Sequence, residues 1–258
     1  PNDSYDVGSY YKGEHLNDIW GLTTIGIAKS QEEMDAHLAK VDQSSVGTNW
    51  GVGDIMYADL DGDGKISNGT NKLGDTGDYR IIGNSTPRFK YGITLDAAWK
   101  GFDFSIFMQG IGKRDLWLDG CYFWGANGQG NEWQSTGFAE HWDFFRPEGD
   151  PLGANLNSYY PRVNFSGDRN TKVQTRYLQN GAYLRLKNVQ LGYTLPRVWT
   201  EKAGISSVRV YVSGDNLATI TSLSKIFDPE ATGSLAGTGS GKLYPLQRVI
   251  SVGVNVNF

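Results

Sequence analysis

From Arg88 onward the chain alternates apolar and polar residues with a period of two. Phe89, Tyr91, Ile93, Leu95, Ala97 and Trp99 fall on one face, with Lys90, Gly92, Thr94, Asp96 and Ala98 on the other. Alternation sustained this long predicts a β-strand with one apolar side. Lys100-Gly101 marks a tight turn. Phe102, Phe104, Ile106 and Met108 then alternate with Asp103, Ser105 and Gln109, so a hairpin is expected. Three further runs follow. Tyr183 to Leu195 puts Val189, Leu191, Tyr193 and Leu195 on a face with Arg185 and Lys187, opposite Asn188, Gln190, Gly192 and Thr194. Ser207 to Ser213 alternates Val208, Val210 and Val212 with Arg209, Tyr211 and Ser213. Leu246 to Phe258 sets Ile250, Val252, Val254, Val256 and Phe258 against Gln247, Val249, Ser251, Gly253, Asn255 and Asn257. Strands are thus expected at about 88–100, 102–111, 182–195, 207–218 and 246–258.

The intervening segments lack this period. Residues 1–87 are polar and rich in Gly and Asp, with one helix expected over Ser30 to Lys40, capped by Ser30 with Glu33 completing a capping box. Residues 112–181 hold Trp117, Tyr122, Phe123, Trp124, Trp133, Trp142, Phe144 and Phe145 among Gly, Asn and Asp, with a short helix expected near Phe138 to Phe145. An irregular stretch this long marks a functional loop. Residues 219–245 are rich in Gly, Ser and Thr.

Composition narrows the class to all-β. Gly is abundant at 34 residues, and aromatics make up 13% of the chain. A net charge of −4, with Lys and Arg scattered, provides no basic field, so nucleic acid is not an expected partner. The single cysteine, Cys121, excludes an internal disulfide and a multi-thiolate metal site. No run of about 18 apolar residues exists, which excludes a transmembrane helix but not membrane strands, which need only about 9–11 residues with one apolar face.

Three features favour a membrane barrel over a soluble sandwich. The connections after Trp99 and Leu195 are short, whereas 112–181 and 219–245 are long, which is the asymmetry of outer-membrane barrels. Aromatics gather at strand ends (Phe89, Tyr91, Trp99, Phe102, Tyr183, Tyr193), where interfacial girdles lie. The last run ends on Phe258, as closing barrel strands do. With that strand running toward the periplasm, 1–87 becomes an extracellular loop segment, and 88–258 the barrel strands with extracellular loops 112–181 and 219–245. Five strands cannot close a barrel whose smallest forms have about eight, so the chain is expected to be part of a longer one.

The sharpest chemical motif is Asp59-Leu60-Asp61-Gly62-Asp63-Gly64-Lys65-Ile66-Ser67. It matches the first nine positions of an EF-hand-type calcium loop: carboxylates at 1, 3 and 5 converge on a hard cation, Gly at 6 permits the turn, and Lys65 offers its carbonyl. Thr70 stands where a bidentate Glu is expected, so Asp75 or Asp78 must close the site. A solvated Asp/Gly turn is the alternative. The aromatic loop, through Trp117, Tyr122, Trp124 and Trp133, is a candidate surface for sugar rings or a partner; a loop packed on its own aromatics is the alternative. His15, His37 and His141 have no metal-ligand spacing. No GxSxG or HExxH motif is present, and no catalytic residues are assigned.

The segments Gly53-Asp54-Ile55-Met56-Tyr57-Ala58-Asp59-Leu60-Asp61-Gly62-Asp63-Gly64-Lys65-Ile66, Asp78-Tyr79-Arg80-Ile81-Ile82-Gly83-Asn84-Ser85-Thr86-Pro87-Arg88-Phe89, Trp99-Lys100-Gly101-Phe102-Asp103-Phe104 and Tyr183-Leu184-Arg185-Leu186-Lys187-Asn188 occur in an order that resembles SusC/RagA-type TonB-linked outer-membrane proteins of Bacteroidetes. The resemblance runs from about Trp20 to Phe258. It implies the C-terminal portion of a barrel of about 22 strands in the outer membrane. It also implies a SusD-like lipoprotein partner, coupling to the TonB complex through a part not in this chain, and import of glycans, oligosaccharides or peptides. In that family the Asp loop closes on an acidic residue soon after Ile66, which makes Asp78 the better sixth ligand beside Asp59, Asp61, Asp63, Lys65 and Ser67. A secreted, calcium-stabilised glycan-binding β-domain is the competing reading, and a surface hydrolase a third.

Overall fold

The structure, a computed structural model, describes residues 2–128, 137–232, 244 and 246–258. In chain order its elements are β1 (Asp18–Gly21), β2 (Thr24–Ile27), α1 (Gln31–Leu38), β3 (Ile55–Tyr57), β4 (Arg80–Asn84), β5 (Arg88–Trp99), β6 (Phe102–Lys113), β7 (Asp115–Leu116), α2 (Cys121–Trp124), β8 (Gln179–Asn180), β9 (Tyr183–Thr194), α3 (Arg197–Thr200), β10 (Ser207–Thr221) and β11 (Val249–Asn257). No helix among the described residues is long and apolar enough to cross a membrane. The chain forms two compact units, one built chiefly from Pro1–Thr86 and Asp115–Gln179, the other from Pro87–Arg114, Asn180–Thr232 and Leu243–Phe258.

The second unit is a five-stranded antiparallel sheet in the order β11-β10-β9-β6-β5. The β5–β6 turn is a two-residue loop in which Lys100 and Gly101 both have positive φ, 47° and 86°. That is the geometry whose twist matches the flanking strands, and glycine at the second position adopts it without strain. The connection from β9 to β10 is longer than the sequence implied. It holds α3 and a 3₁₀ turn, and Gly204 at φ 70° ends that turn.

Residues opposed across the strands share a face, so the pairing defines two surfaces. One surface carries the rows Trp99–Phe102–Tyr193–Val210–Val254 and Ala97–Phe104–Leu191–Val212–Val252. Its side chains are exposed: Leu95 retains 54%, Ile250 71% and Val252 80% of their accessible surface. The other surface carries Asp96–Ser105–Gln190–Ser213–Ser251 and Ala98–Asp103–Gly192–Tyr211–Gly253. Glycines on it make room for large neighbours. A Cβ on Gly192 would meet both Asp103 and Arg209, whose ion pair crosses β9 there, with Arg209 Nε donating to Asp103 Oδ2 at 2.9 Å.

One expectation about these faces is overturned. Arg185 and Lys187 do not share the apolar face of Val189 and Leu191. The ladder shifts between Phe107 and Met108 on β6 and between Asp215 and Ala218 on β10. Asn188 pairs with Phe107 and Leu186 with Met108, which leaves Lys187 as the extra residue of a bulge. The bulge resets the phase, so Leu186 joins the apolar surface while Arg185, opposite Gln109 and Thr219, turns to the polar one.

On that polar side Arg185 holds the chain segment that follows β10. Its Nη2 donates to Asp228 Oδ1 at 2.7 Å, its Nε to Thr219 Oγ1 at 2.8 Å, and Nη1 lies 3.2 Å from Glu230. Lys187 Nζ donates to Glu230 at 3.0 Å. Arg185 and Asp228 side chains retain only 4% and 8% exposure, so removing one partner strands the other charge.

The first unit has its own core, with Leu22, Met34, Ile55, Tyr57, Ile66, Leu118, Phe123 and Tyr177 almost wholly buried. α1 forms inside the expected Ser30 to Lys40 window. The Ser30 hydroxyl accepts from Glu33 N at 3.2 Å, and the Glu33 carboxylate accepts from Lys29 N at 2.6 Å. Asp54 is fully buried, accepting from Arg162 Nε and Nη2 at 2.7 and 2.6 Å and from Asn170 Nδ2 at 2.8 Å. These bonds tie the start of the chain to residues well over a hundred positions later. The segment 112–181 is therefore largely a partner of 1–86 in a folded body. The short helix expected near Phe138 to Phe145 is a 3₁₀ turn at Ala139–Trp142.

The Arg185 clasp yields a prediction. Arg185→Ala should cost about 3 kcal/mol, read as a lowered thermal midpoint of the purified protein. The same clasp gives a pH dependence. Burial raises the Asp228 carboxyl, but the Arg185 hydrogen bond and the Glu230 and Leu246 amides outweigh it and hold the group below its ordinary range. A depressed carboxyl stabilises fully above its unfolded pKa, near 4, and loses that contribution as pH falls through the folded value. Stability that fell equally with acid in wild type and Arg185→Ala would contradict this.

Candidate functional site

The segment Asp59 to Ser67 follows β3 and winds through alternating glycines. Gly62 and Gly64 have φ of 79° and 81°, which β-carbon-bearing residues rarely adopt. Their N–H groups point inward to one carboxylate: Gly62 N donates to Asp59 Oδ1 at 2.7 Å and Gly64 N to Asp59 Oδ2 at 2.9 Å. Asp63 N donates to Asp61 Oδ1 at 3.1 Å. The loop is closed by Asp78, fully buried, whose two oxygens accept from Leu60 N at 2.6 Å and Ser67 N at 2.8 Å. The excursion from Asn68 to Gly77 is therefore looped out, and its two ends are drawn together on one carboxylate.

Carboxylate oxygens of Asp59, Asp61 and Asp78 lie within 4.8 Å of one another. The carboxylate of Asp63 is not part of that group. Asp63 accepts from Lys65 N at 2.9 Å and sits 3.6 Å from Lys65 Nζ. Ser67 gives its N–H to Asp78 and its hydroxyl accepts from Gly69 N at 3.1 Å. Asp75, the alternative closing residue, accepts from Thr70 N at 3.1 Å in a separate turn. The electrostatics of the trio are uneven. Amide donors, Gly64 first, hold Asp59 below its ordinary range against desolvation. For Asp61 the Asp63 amide also pulls downward, but desolvation and the carboxylates of Asp63, Asp78 and Asp59 prevail and raise it. Three carboxylates at this separation are an oxygen-rich site that suits a hard divalent cation, which would relieve their repulsion.

The aromatic candidates separate in the folded unit. Trp124 is buried, with its ring 5.8 Å from Trp117 and 4.7 Å from Tyr177. Tyr122 rests 5.6 Å from Phe138, and Trp133 lies outside the described residues. Much of the aromatic content is thus a self-packed cluster, with Phe123 edge-on to Tyr160 and Tyr177. Beside it is a cavity of about 250 Å³ lined by Trp124, Phe138, Trp142, Phe144, Tyr160 and Val163. Of the three predicted residues that are described, Trp124 lines it, and Trp117 and Tyr122 do not. The aromatic density of 138–145 was a signal for part of the wall, whereas Tyr160 and Val163 carried none.

No family model matches the chain. Among curated proteins, TonB-dependent receptor P3 of Formosa agariphila is 33% identical over 216 residues, covering 80% of this chain and 19% of that protein. TonB-dependent receptor P26 of the same organism is 30% identical over 256 residues, covering 95% of this chain and 23% of that one. The fold agrees with the RagAB peptide importer in its open-open state, with a TM-score of 0.62 at 22% identity, over 93% of this chain and 22% of that one. The RagAB peptide transporter matches with a TM-score of 0.61. The chain belongs to the TonB-dependent receptors. It spans about a fifth of the length of the curated relatives it matches, which fits the C-terminal portion expected from its motifs. Proteins of this family are outer-membrane proteins of Gram-negative bacteria.

Asp78 carries the loop closure in this receptor. Asp78→Ala should destabilise the receptor by about 2 kcal/mol, because it strands two amide donors, whereas Asp75→Ala should change the thermal midpoint little. Equal effects would show that Asp78 does not organise the loop.

Proposed function

We propose that this chain is a C-terminal wall and surface body of an outer-membrane importer that takes up oligomeric nutrients, peptides or glycans, together with a SusD-like surface lipoprotein, driven through the TonB complex. The observation that carries the reading is the sheet, with one apolar, exposed surface and one polar, internally bonded surface. An apolar surface this broad belongs against lipid. The polar surface then lines the lumen, and the clasp at Arg185 leans the segment after β10 toward that lumen. β5 and β11 are the outer strands of the sheet, and open edges in hydrocarbon are costly. The remaining strands of a closed barrel, about 22 in all, would come from elsewhere in the receptor. The neighbours that share the fold are named for peptide import as RagAB, which supports a lipoprotein partner and an oligomeric cargo.

In the same reading the trio Asp59, Asp61 and Asp78 holds a structural calcium ion, with Asp63, Lys65 and Ser67 completing or shaping the loop. The ion would fix the surface body; no chemistry on the cargo is assigned to it.

Two measurements test these proposals. Cells making the full-length receptor and its lipoprotein should accumulate a fluorescent oligopeptide or oligosaccharide, and dissipating the proton-motive force should stop the accumulation. Uptake independent of the receptor or of the gradient contradicts the importer. Separately, millimolar calcium should raise the thermal midpoint of the purified receptor by several degrees over a chelator control. That difference should vanish in Asp59→Asn/Asp61→Asn. An unchanged midpoint removes the calcium assignment.

A further inference from the structure

We propose that the cavity beside the aromatic cluster is a subsite for one apolar side chain, aromatic for preference, of a peptide ligand. The proposal rests on the importer reading and narrows its substrate class. Size argues first. At about 250 Å³ the space exceeds the roughly 150 Å³ of an apolar cavity that takes up benzene, yet falls below the roughly 300–1,000 Å³ of pockets that enclose larger ligands. It suits one ring or a branched side chain better than a disaccharide.

The chemistry of the wall argues in the same direction. Trp124, Phe138, Trp142, Phe144, Tyr160 and Val163 offer carbon surface, and the ring nitrogens of His141 and the amide oxygen of Asn127 are engaged. His141 Nδ1 accepts from Phe138 N at 3.2 Å, and its Nε2 faces the carbonyls of Tyr122 and Phe123 at 3.1 Å each, which selects the tautomer with the proton on Nε2. Asn127, itself 3% exposed, accepts from Asn164 N at 3.0 Å. A sugar entering here would bring more hydroxyls than this mainly carbon wall can partner, whereas an apolar side chain loses nothing of that kind and gains burial.

The site is also formed in advance. Phe145 N donates to Tyr160 O at 3.1 Å, Tyr160 N to Asp143 O at 2.9 Å, and Gly128 N to Asn164 O at 2.9 Å, which ties together the three segments that frame it. Arg146 stiffens the rim, with its guanidinium 5.3 Å from the Trp142 ring and 4.8 Å from Phe144 while Nη1 donates to Trp142 O at 2.9 Å. A ligand therefore meets a wall that needs little ordering. Trp142 keeps 59% of its surface exposed and stands at the mouth.

The test is equilibrium binding to the full-length receptor in detergent, followed by saturation-transfer NMR. The probes are N-acetyl-phenylalaninamide, N-acetyl-leucinamide, N-acetyl-aspartamide and the disaccharide maltose. Two variants serve, Val163→Phe to fill the space and Trp142→Ala to remove the exposed rim, each checked by its thermal midpoint. The phenylalanine amide should bind at about millimolar concentration, and at least tenfold more weakly in both variants. The aspartate amide and maltose should bind at least tenfold more weakly than the phenylalanine amide in wild type. Maltose binding that Val163→Phe abolishes, or phenylalanine-amide binding unchanged in both variants, overturns the proposal. Because binding in detergent needs neither TonB nor a gradient, its failure beside intact cellular uptake refutes the subsite alone. Absent uptake beside intact binding refutes the importer and leaves the subsite standing.

Discussion

Everything in the sheet depends on backbone pairing. β6, β9 and β10 each have a partner on both sides, so their amides and carbonyls are consumed within the protein. In hydrocarbon that is a requirement, since no water stands ready to take an unpaired group. Once the ladder is fixed, the period of two assigns every side chain to a face, and one slipped residue would invert the assignment. The bulge at Lys187 uses this rule. It inverts the phase of β9 at one level, and so delivers a buried arginine to the polar side where Asp228 and Glu230 meet it. Without the bulge, Arg185 would project into the exposed apolar surface.

The first unit meets the same need with side chains instead of strands. Its strands are two to five residues long, too short to satisfy a body of this size. Buried carboxylates and amides take over. Asp54 gathers two arginine donors and Asn170, Asp78 gathers the two ends of the looped-out segment, and Gln43 accepts from Tyr57 N at 2.7 Å while donating to Ile55 O at 3.3 Å. The acidic loop and the aromatic cavity are both held by such fixed polar contacts, which gives them defined geometry without any ligand.

Local patterns were legible in the sequence and distant ones were not. The five alternating runs became β5, β6, β9, β10 and β11, with ends shifted by up to three residues. Lys100-Gly101 announced its turn because few residue pairs tolerate two positive φ angles. The residues alone left Asp75 and Asp78 both open as partners of Asp59 and Asp61, and only the resemblance favoured Asp78, since an excursion of ten residues hides the spacing. The phase of Arg185 was misread because a bulge leaves no mark in residue types: Lys187 alternates as politely as its neighbours. The packing of 112–181 against 1–86 was hidden for a different reason. It rests on pairs such as Asp54 with Arg162, more than a hundred positions apart, and so does the cavity wall, whose Tyr160 and Val163 carry no local signature.

The central claim is that the two surfaces of the sheet face lipid and lumen. Spin labels placed singly from Ile250 to Asn255, in the full-length receptor with Cys121 replaced by serine and reconstituted in bilayers, test it most directly. Collision with oxygen, which partitions into lipid, should peak at residues 250, 252 and 254, and collision with a water-soluble nickel chelate at 251, 253 and 255. Accessibility to the chelate at every position, or no alternation between the two reagents, would contradict the account.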